Sequence, residues 1–393
     1  MNIPFSPPHI TEEDIAEVAA VLRSGWITTG PKTAELEQQL SQFCRGQGVA
    51  CLNSATAGLE LTLRLLEIGP GDEVITSAYT YTATAAVVLH TGATPVLVDV
   101  APGSYLIDPE RVARAITPRT KAIIAVDVAG VMCDYPALLA VAEAAAFTPK
   151  GRLQEALGRP AVIADAAHSL GALLGDVPSG CAADFSCFSF HAVKNLTTAE
   201  GGAVTWRPVP GVDNSEISRL FRLYSLHGQS KDALAKSRAG GWEYDILIPG
   251  YKCNLTDVLA ALGGSQMRRY YAMLSRRREL VSRYDTLLGG RVESLRHWGE
   301  GYISSCHLYI ARVEPARRGH IIEQLARRGV AANVHYKPLP MLTAYRLLGY
   351  RQQDFPHSLE RYEGALSLPL HTLLTDPQVD YISRSLLDII GLS

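Results

Sequence analysis

Short apolar runs alternate with segments of helical spacing along the first half of the chain. The first helix is expected to begin after Thr11, an N-cap residue followed by acids, and to end near Arg23, before Gly25. Strands that alternate with helices form βαβ units, so the pattern predicts a mostly parallel sheet covered on both faces. The predicted strands are 48–53, 71–77, 94–100, 121–128, 161–165, 185–190 and 202–206, and further helices are predicted at 34–44, 56–66, 82–90 and 109–116.

The alternation stops near residues 249–254, PGYKCN. Beyond this point the pattern predicts a long arginine-rich helix over 256–288, a strand over 306–313 and a helix over 320–328. We therefore expect an α/β large domain over 1–250 and a smaller C-terminal α/β domain over 251–393. Within the first domain, 140–160 is too long for a simple connection and predicts a helix, a surface excursion and a second short helix.

Composition and charge narrow the class of partner. The chain has 393 residues, 47% of them hydrophobic, a formal net charge of -2, and no basic stripe or Lys/Arg run of the kind that suggests nucleic acid or an anionic membrane. A chain of this kind is not expected to bind nucleic acid or a membrane, so its partner is a small molecule or a second copy. No apolar run reaches the length of a membrane helix, which favours a cytoplasmic protein. The seven cysteines are scattered and form no CxxC pair, so reduced thiols without a metal are expected.

The most informative segment is SFHAVKNLTTAEGG, residues 189–202. It places Lys194 just after a predicted buried strand, where the side chain can point into a crevice. Burial there lowers the pKa of an amine and makes it competent to form a Schiff base. Taken alone, however, a single lysine is more often a solvated surface residue.

A second candidate stands at the end of the predicted strand AVIAD. Asp165 terminates this strand and faces the carboxyl edge of the sheet, where open α/β sheets bind ligands. A carboxylate at that point can keep a pyridine nitrogen protonated, although a helix cap or an ion pair would also explain it. His168 is a candidate for the ring oxygen or for a carboxylate, or it is a core histidine.

Residues 53–58, NSATAG, follow a strand and open a helix, which is typical of an anion site built from free N–H groups. The Thr56 hydroxyl and Ser189 extend this predicted phosphate cradle. Tyr81 is a candidate for stacking on a flat ring, with Tyr79 as its rival. No GxxxxGK[ST] or strand-borne GxGxxG occurs, which argues against nucleotide hydrolysis and hydride transfer.

Together these motifs resemble those of the DegT/DnrJ-type sugar aminotransferases, which depend on pyridoxal 5'-phosphate (PLP) and have the fold-type I fold. The resemblance runs from SGWITTGPK (24–32) to LSLPLHT (366–372). It implies a large domain with a seven-stranded sheet flanked by helices, and a smaller C-terminal domain. The motifs SGWITTGPK, ITPRTKAII, SFHAVKN and PGYKCNLTD are most similar to enzymes that aminate C4 of UDP-4-keto sugars, such as the UDP-4-amino-4-deoxy-L-arabinose aminotransferase.

The resemblance also implies a role for each candidate residue. Lys194 would hold PLP and carry a proton, Asp165 would pair with the pyridinium, and His168 would lie near the ring oxygen. Tyr81 would stack on the ring. The phosphate would be bound by Thr56, Ala57 and Ser189, joined by Asn254 of the second subunit of a homodimer.

The implied reaction transfers an amino group, from glutamate, to a UDP- or dTDP-linked 4-keto sugar for cell-surface polysaccharide or lipid glycan synthesis. The alternatives are a PLP-dependent sugar dehydratase or lyase, and a non-catalytic regulator of the same fold. Within this family a histidine at the lysine position marks dehydratases, so Lys194 favours transamination. Three features depart from the family pattern: Ala164 before the aspartate, the long segment 145–160, and HYKPLP at 335–340. The sequence leaves the nucleotide, the sugar and the stereochemistry open.

Overall fold

The computed structural model describes residues 2–46, 48–230 and 243–392. The strands are β1 Gly48–Leu52, β2 Glu73–Ser77, β3 Thr94–Val98, β4 Thr120–Val126, β5 Ala161–Asp165, β6 Leu173–Leu174, β7 Val177–Pro178, β8 Phe185–Ser189, β9 Gly202–Trp206, β10 Trp298–Gly299, β11 Tyr302–Ile303, β12 Tyr309–Arg312 and β13 Ala365–Leu368. The α-helices are α1 Glu12–Ser24, α2 Pro31–Cys44, α3 Ala55–Leu65, α4 Thr82–Thr91, α5 Pro109–Ala115, α6 Tyr135–Glu143, α7 Gly151–Leu157, α8 Asn214–Ser225, α9 Asp257–Arg268, α10 Tyr270–Leu288, α11 Arg318–Arg327, α12 Thr343–Leu347, α13 Pro356–Gly364 and α14 Asp376–Ile390.

The central sheet has seven strands in the order β1-β9-β8-β5-β4-β2-β3. β9 runs antiparallel to both of its neighbours, and the other strands are parallel to one another. The seven strands predicted before residue 250 therefore all belong to one sheet, and the predicted α/β class with a mostly parallel sheet is confirmed. The strand predicted over 306–313 corresponds to β12, which pairs with β13 in a separate sheet. All parallel strands end at one edge, which brings the residues that follow β1, β2, β4, β5 and β8 together.

Both faces of the sheet are covered by apolar side chains of the helices, as its near-continuous hydrophobic strands require. One layer contains Leu36, Leu138 and Ala260 of α2, α6 and α9. The other contains Leu59, Val87 and Phe221 of α3, α4 and α8. A separate core joins α10, α11 and α14 to the β12–β13 pair. The division at residue 250 stays a prediction, since α9 still packs on α1 and α2.

The single helix expected over 256–288 is wrong in one respect, because the chain breaks at Arg269 between α9 and α10. The guanidinium of Arg269 donates to the carboxylate of the buried Asp14 at 2.7 and 3.0 Å, and to the carbonyl of His9. This anchor lies far away in sequence, so helical spacing alone does not reveal it. The helix α8 and the strand β13 were not predicted either.

The segment 140–160 has the predicted form, with α6, an irregular stretch and the short helix α7. It packs at the amino edge of the sheet. Gln154 donates to the carbonyl of Leu66, and Lys150 pairs with Asp72 at 2.7 Å. None of the residues 145–160, all of which the structure describes, lines the Lys194 pocket, so this segment does not form its rim.

Candidate active site

A pocket of about 380 Å³ opens at the carboxyl edge of the central sheet. It is lined by residues that follow β1, β2, β5 and β8, together with residues from the N-terminal segment and from the C-terminal part of the chain. The predicted residues Thr56, Tyr81, Asp165, His168, Ser189 and Lys194 all line it. The sequence prediction that these side chains share one crevice is therefore in agreement with the structure.

Lys194 lies in the loop after β8, where its backbone N–H donates to the carbonyl of His191 at 2.9 Å. Its amine forms no hydrogen bond with any residue in the described ranges. Burial lowers the pKa of Lys194 to about 8, and the charge of Asp165 opposes that shift. About a tenth of the amine is thus uncharged at pH 7, far more than for an ordinary lysine, and it is the uncharged form that acts as the nucleophile.

Asp165 ends β5 and is 7% exposed. Its carboxylate accepts hydrogen bonds from the Thr84 hydroxyl at 2.7 Å and from the backbone N–H of Ala167 at 3.3 Å. Burial raises the pKa of Asp165, while these hydrogen bonds and the charge of Lys194 oppose the rise. Thr84 was missed by the sequence analysis, because nothing in its helical context points to a carboxylate 81 residues away.

The buried His168 is held in one tautomer. Its Nδ1 accepts the backbone N–H of Ala129 at 3.2 Å, so the ring proton lies on Nε2 and is donated to the Tyr336 hydroxyl at 2.9 Å. Burial lowers the pKa of His168 well below its ordinary value, and the charge of Lys194 adds to this effect. The ring of His307 packs beside it with centroids 4.3 Å apart. The imidazole is therefore a neutral hydrogen-bond donor.

The N-terminus of α3 faces the pocket through Ser54 and Thr56. Ser54 is the N-cap, and its hydroxyl accepts the backbone N–H of Ala57 at 3.0 Å. Thr56 lines the pocket, whereas Ala57 packs against the adjoining hydrophobic layer. A Cβ on Gly202 would lie 2.4 Å from the Ser54 carbonyl carbon, so a glycine is needed where β9 meets this helix end. Such a helix end is suited to a phosphate group.

Ser189 ends β8 and also lines the pocket, and its hydroxyl accepts the backbone N–H of His191 at 3.4 Å. It lies on the strand that neighbours β5 and β9 in the central sheet. The position of Ser189 is compatible with its predicted role in binding phosphate, which stays a prediction.

Tyr81 and Tyr79, the two candidates for stacking on the ring, lie in different environments. Tyr79 is fully buried, donates to the carbonyl of His335 at 2.6 Å and accepts the N–H of Tyr336 at 2.9 Å. Tyr81 is 60% exposed and lines the pocket, with its ring 5.9 Å from that of Tyr336. The geometry therefore favours Tyr81 for stacking on the ring. The Tyr79 hydroxyl instead fixes the backbone of residues 335–336 through its two hydrogen bonds.

Asn254 lies outside the Lys194 pocket of its own chain. Its backbone forms an isolated antiparallel β-bridge with Leu52. Its side chain donates to the Thr29 hydroxyl at 2.6 Å and lines a second, smaller pocket with Thr28 and Thr29. This placement is compatible with the predicted role of Asn254 across a subunit interface, which stays a prediction.

The segment HYKPLP, which departs from the family pattern, contributes His335 and Tyr336 to the pocket. Asn195 and His307 form a further pair behind it, with Asn195 Oδ1 2.9 Å from His307 Nδ1. The sequence analysis did not single out Tyr336, His307 or Asn195 as site residues. Of these three residues, only Asn195 had a local sequence signal for a place in the site, because it directly follows Lys194 in the chain.

The residues present fit PLP. The amine of Lys194 and the buried carboxylate of Asp165 face one cavity, and a helix N-terminus with hydroxyl groups lies on the same rim. An aldehyde, a pyridine nitrogen and a phosphate are the groups that such a donor set binds. Among the described residues no group of His, Cys, Asp or Glu is placed to hold a metal ion. No described helix is long and apolar enough to cross a membrane.

Comparison with known proteins agrees with this site. The family model of the DegT/DnrJ/EryC1/StrS aminotransferases matches residues 8–387. The chain is 36% identical over 398 residues to the spore coat polysaccharide biosynthesis protein SpsC of Bacillus subtilis, covering 99% of this chain and 97% of that protein.

Solved structures give the same result. The putative sugar aminotransferase Spr1654 from Streptococcus pneumoniae, in its PMP form, is 51% identical with a TM-score of 0.96, covering 99% of both chains. Its PLP form has the same TM-score. Helicobacter pylori PseC, an aminotransferase involved in the biosynthesis of pseudoaminic acid, is 28% identical with a TM-score of 0.84 over 100% of both chains. The chain therefore belongs to the DegT/DnrJ/EryC1/StrS aminotransferase family, and it is a fold-type I enzyme that uses PLP to transfer amino groups.

Proposed function

We propose that this enzyme transfers an amino group from L-glutamate to the C4 keto group of a UDP- or dTDP-linked sugar. The observation that carries the proposal is the pairing, in one pocket, of the Lys194 amine with the buried Asp165 carboxylate. The similarity to Spr1654, a putative sugar aminotransferase, and to SpsC, a spore coat polysaccharide biosynthesis protein, supports a sugar substrate and a role in surface polysaccharide synthesis.

When bound, PLP supplies an electron-accepting ring that stabilises the negative charge left when a C–H bond beside the amino nitrogen breaks. The chain's own residues divide the remaining work. Lys194, whose pKa is lowered to about 8, can accept and return a proton at Nζ near neutral pH. Asp165, held by Thr84 and by the N–H of Ala167, keeps a positive charge on a neighbouring ring nitrogen favourable.

The other pocket residues would orient the bound cofactor and enclose it. Thr56 and Ser189 offer hydroxyl groups at the phosphate end, and Tyr81 offers an exposed ring face. His168 lines the same pocket as a neutral imidazole, and its ring is held in a fixed orientation because Nδ1 accepts the N–H of Ala129 and Nε2–H donates to Tyr336. Phe5 stacks on His335 with centroids 5.5 Å apart, and both rings line the pocket.

We further propose a homodimer in which Asn254 of the partner subunit completes the phosphate site. The support is the position of Asn254, which lies outside its own Lys194 pocket, on a rim shared with Thr29. In a mixed dimer of one wild-type and one Asn254→Ala subunit, PLP binding would then be weakened only in the pocket of the wild-type subunit, because that pocket receives the substituted residue.

The test uses purified enzyme with glutamate and a panel of UDP- and dTDP-linked 4-keto and 3-keto sugars. We expect glutamate alone to convert the bound cofactor to its amino form, and one 4-keto sugar to restore the starting spectrum with an aminated product. A sugar product that forms without any glutamate half-reaction would instead indicate the lyase alternative. Absence of both reactions with every donor would favour the non-catalytic alternative.

A further inference from the structure

A second buried carboxylate lies behind Asp165. Asp127 directly follows β4, and Val126 of β4 is in register with Asp165 of β5. The backbone N–H of Asp127 donates to the carbonyl of Asp165 at 3.2 Å. Val126 lines the pocket, whereas the side chain of Asp127 turns into the protein and is 1% exposed. The two carboxylates therefore occupy neighbouring strand ends, one facing the cavity and one facing inward.

Asp127 is fully hydrogen-bonded but has no counter-ion. Its carboxylate accepts the Ser169 hydroxyl at 2.6 Å, the Tyr135 hydroxyl at 2.7 Å and the backbone N–H of Cys133 at 2.9 Å. No cation in the described ranges forms an ion pair with it. Burial raises the pKa of Asp127 to about 6 and the charge of Asp165 adds to the rise, while the three donors oppose it. Both carboxylate oxygens accept hydrogen bonds from these donors, and this geometry favours the ionised form.

The segment that Asp127 begins also holds the His168 turn. Ala129 donates its N–H to His168 Nδ1, and Asp127 binds the hydroxyl of Ser169, the next residue along the chain. Gly130 (φ 92°) has no room for a side chain, because a Cβ would lie 2.9 Å from the carbonyl oxygen of His168. Residues 127–130 therefore contact the His168 turn at several points.

We propose that Asp127 is a positioning residue of the active site, which fixes the His168 turn and places a second negative charge behind Asp165. The proposal rests on the PLP site proposed above and deepens it. An uncompensated buried anion is costly for stability, and burial of an equivalent apolar residue would avoid that cost. A charge kept at this point acts on any positive group in the pocket, because the low polarity of the interior screens it weakly.

The groups that face Asp127 are Asp165 of β5, Tyr135 of α6 and the Cys133 thiol, with Ser169 and Ser179 supplying hydroxyls. Asp134 follows Cys133 in the chain, but it is exposed and caps α6 through the N–H of Ala137. Asp134→Asn therefore removes an equal charge from an exposed side chain of the same segment and keeps the cap, which makes it a matched control.

The test is a pH titration of the absorbance of PLP bound to the purified full-length enzyme, combined with a measurement of PLP affinity. We expect Asp127→Asn to lower the apparent pKa of the bound chromophore by about one unit, since a nearby negative charge favours the protonated form. PLP affinity is expected to fall severalfold. Asp134→Asn is expected to give the wild-type curve.

Tyr135→Phe separates positioning by charge from a structural role, because it removes one hydrogen bond and keeps the carboxylate. We expect Tyr135→Phe to lower the unfolding temperature and to leave the apparent pKa of the bound chromophore unchanged. The proposal is overturned if Asp127→Asn titrates like wild type, or if Tyr135→Phe shifts the curve equally. Should Asp127→Asn not fold, Ser169→Ala tests the other half of the proposal, because it keeps the carboxylate but breaks the bond between Asp127 and the His168 turn. It is expected to lower PLP affinity severalfold with the wild-type titration, whereas Tyr135→Phe keeps the affinity, and wild-type affinity in Ser169→Ala would overturn the proposal. A wild-type enzyme without any PLP chromophore would instead count against the proposed function.

Discussion

The two edges of the central sheet use similar residues for different purposes. At the amino edge, charged groups are matched at hydrogen-bond distance: Arg159 binds Asp184 through two hydrogen bonds of 2.7 and 2.9 Å, and Lys150 pairs with Asp72. At the carboxyl edge, Lys194 and Asp165 face a cavity and interact across it. Oppositely charged residues thus support the fold at one edge and leave a reactive amine at the other, because only the second edge has space between them.

The largest effect should follow from Lys194→Ala. We expect at least about a thousandfold loss of amino transfer and loss of the imine absorbance, because no other described lysine lines the pocket. The unfolding temperature of the apoenzyme should not fall, because the amine that is removed forms no hydrogen bond with any described residue. Lys150→Ala, at the amino edge, is the control and should retain the absorbance. Retention of activity in Lys194→Ala would contradict the assignment.

Asp165→Asn should have the next largest effect. The amide can keep the Thr84 hydrogen bond but carries no charge to favour a protonated ring nitrogen. We expect a loss of about 10² to 10³ in turnover with the Lys194-linked absorbance still present. Steady-state rates and spectra measured on the same preparation check this. A loss smaller than about tenfold would show that the charge matters little.

The pH dependence of the Lys194 amine distinguishes it from an ordinary lysine. Since its pKa is lowered to about 8, the uncharged fraction rises steeply below that pH and levels off above it. The rate at which apoenzyme reacts with added PLP should therefore be about tenfold lower at pH 7 than at pH 9. A free lysine derivative measured in parallel should keep accelerating up to about pH 10. Equal profiles for the two amines would contradict the lowered pKa.

The same contrast explains how much was predictable from the sequence. Asp165 and Lys194 stand just after buried strands, and a strand end is a local pattern that points to the carboxyl edge. Tyr336 lies 168 residues from His168, its hydrogen-bond partner, and no local pattern joins them. The break at Arg269 likewise depends on Asp14, 255 residues away. Local signals therefore predicted the sheet and the two central groups, whereas the residues that orient them required the tertiary structure.

The smallest effect on catalysis is expected at the amino edge, from Gln154→Ala. This side chain is 1% exposed, donates to the carbonyl of Leu66 and accepts the N–H of Lys150 at 2.9 Å. Its removal leaves two backbone groups without partners, so the free energy of unfolding should fall by about 2 kcal/mol. Turnover per folded enzyme should equal that of wild type, because segment 145–160 lies outside the Lys194 pocket. Denaturant unfolding and active-site titration measure the two quantities separately. A drop in turnover without a drop in stability would mean that the two edges of the sheet are coupled.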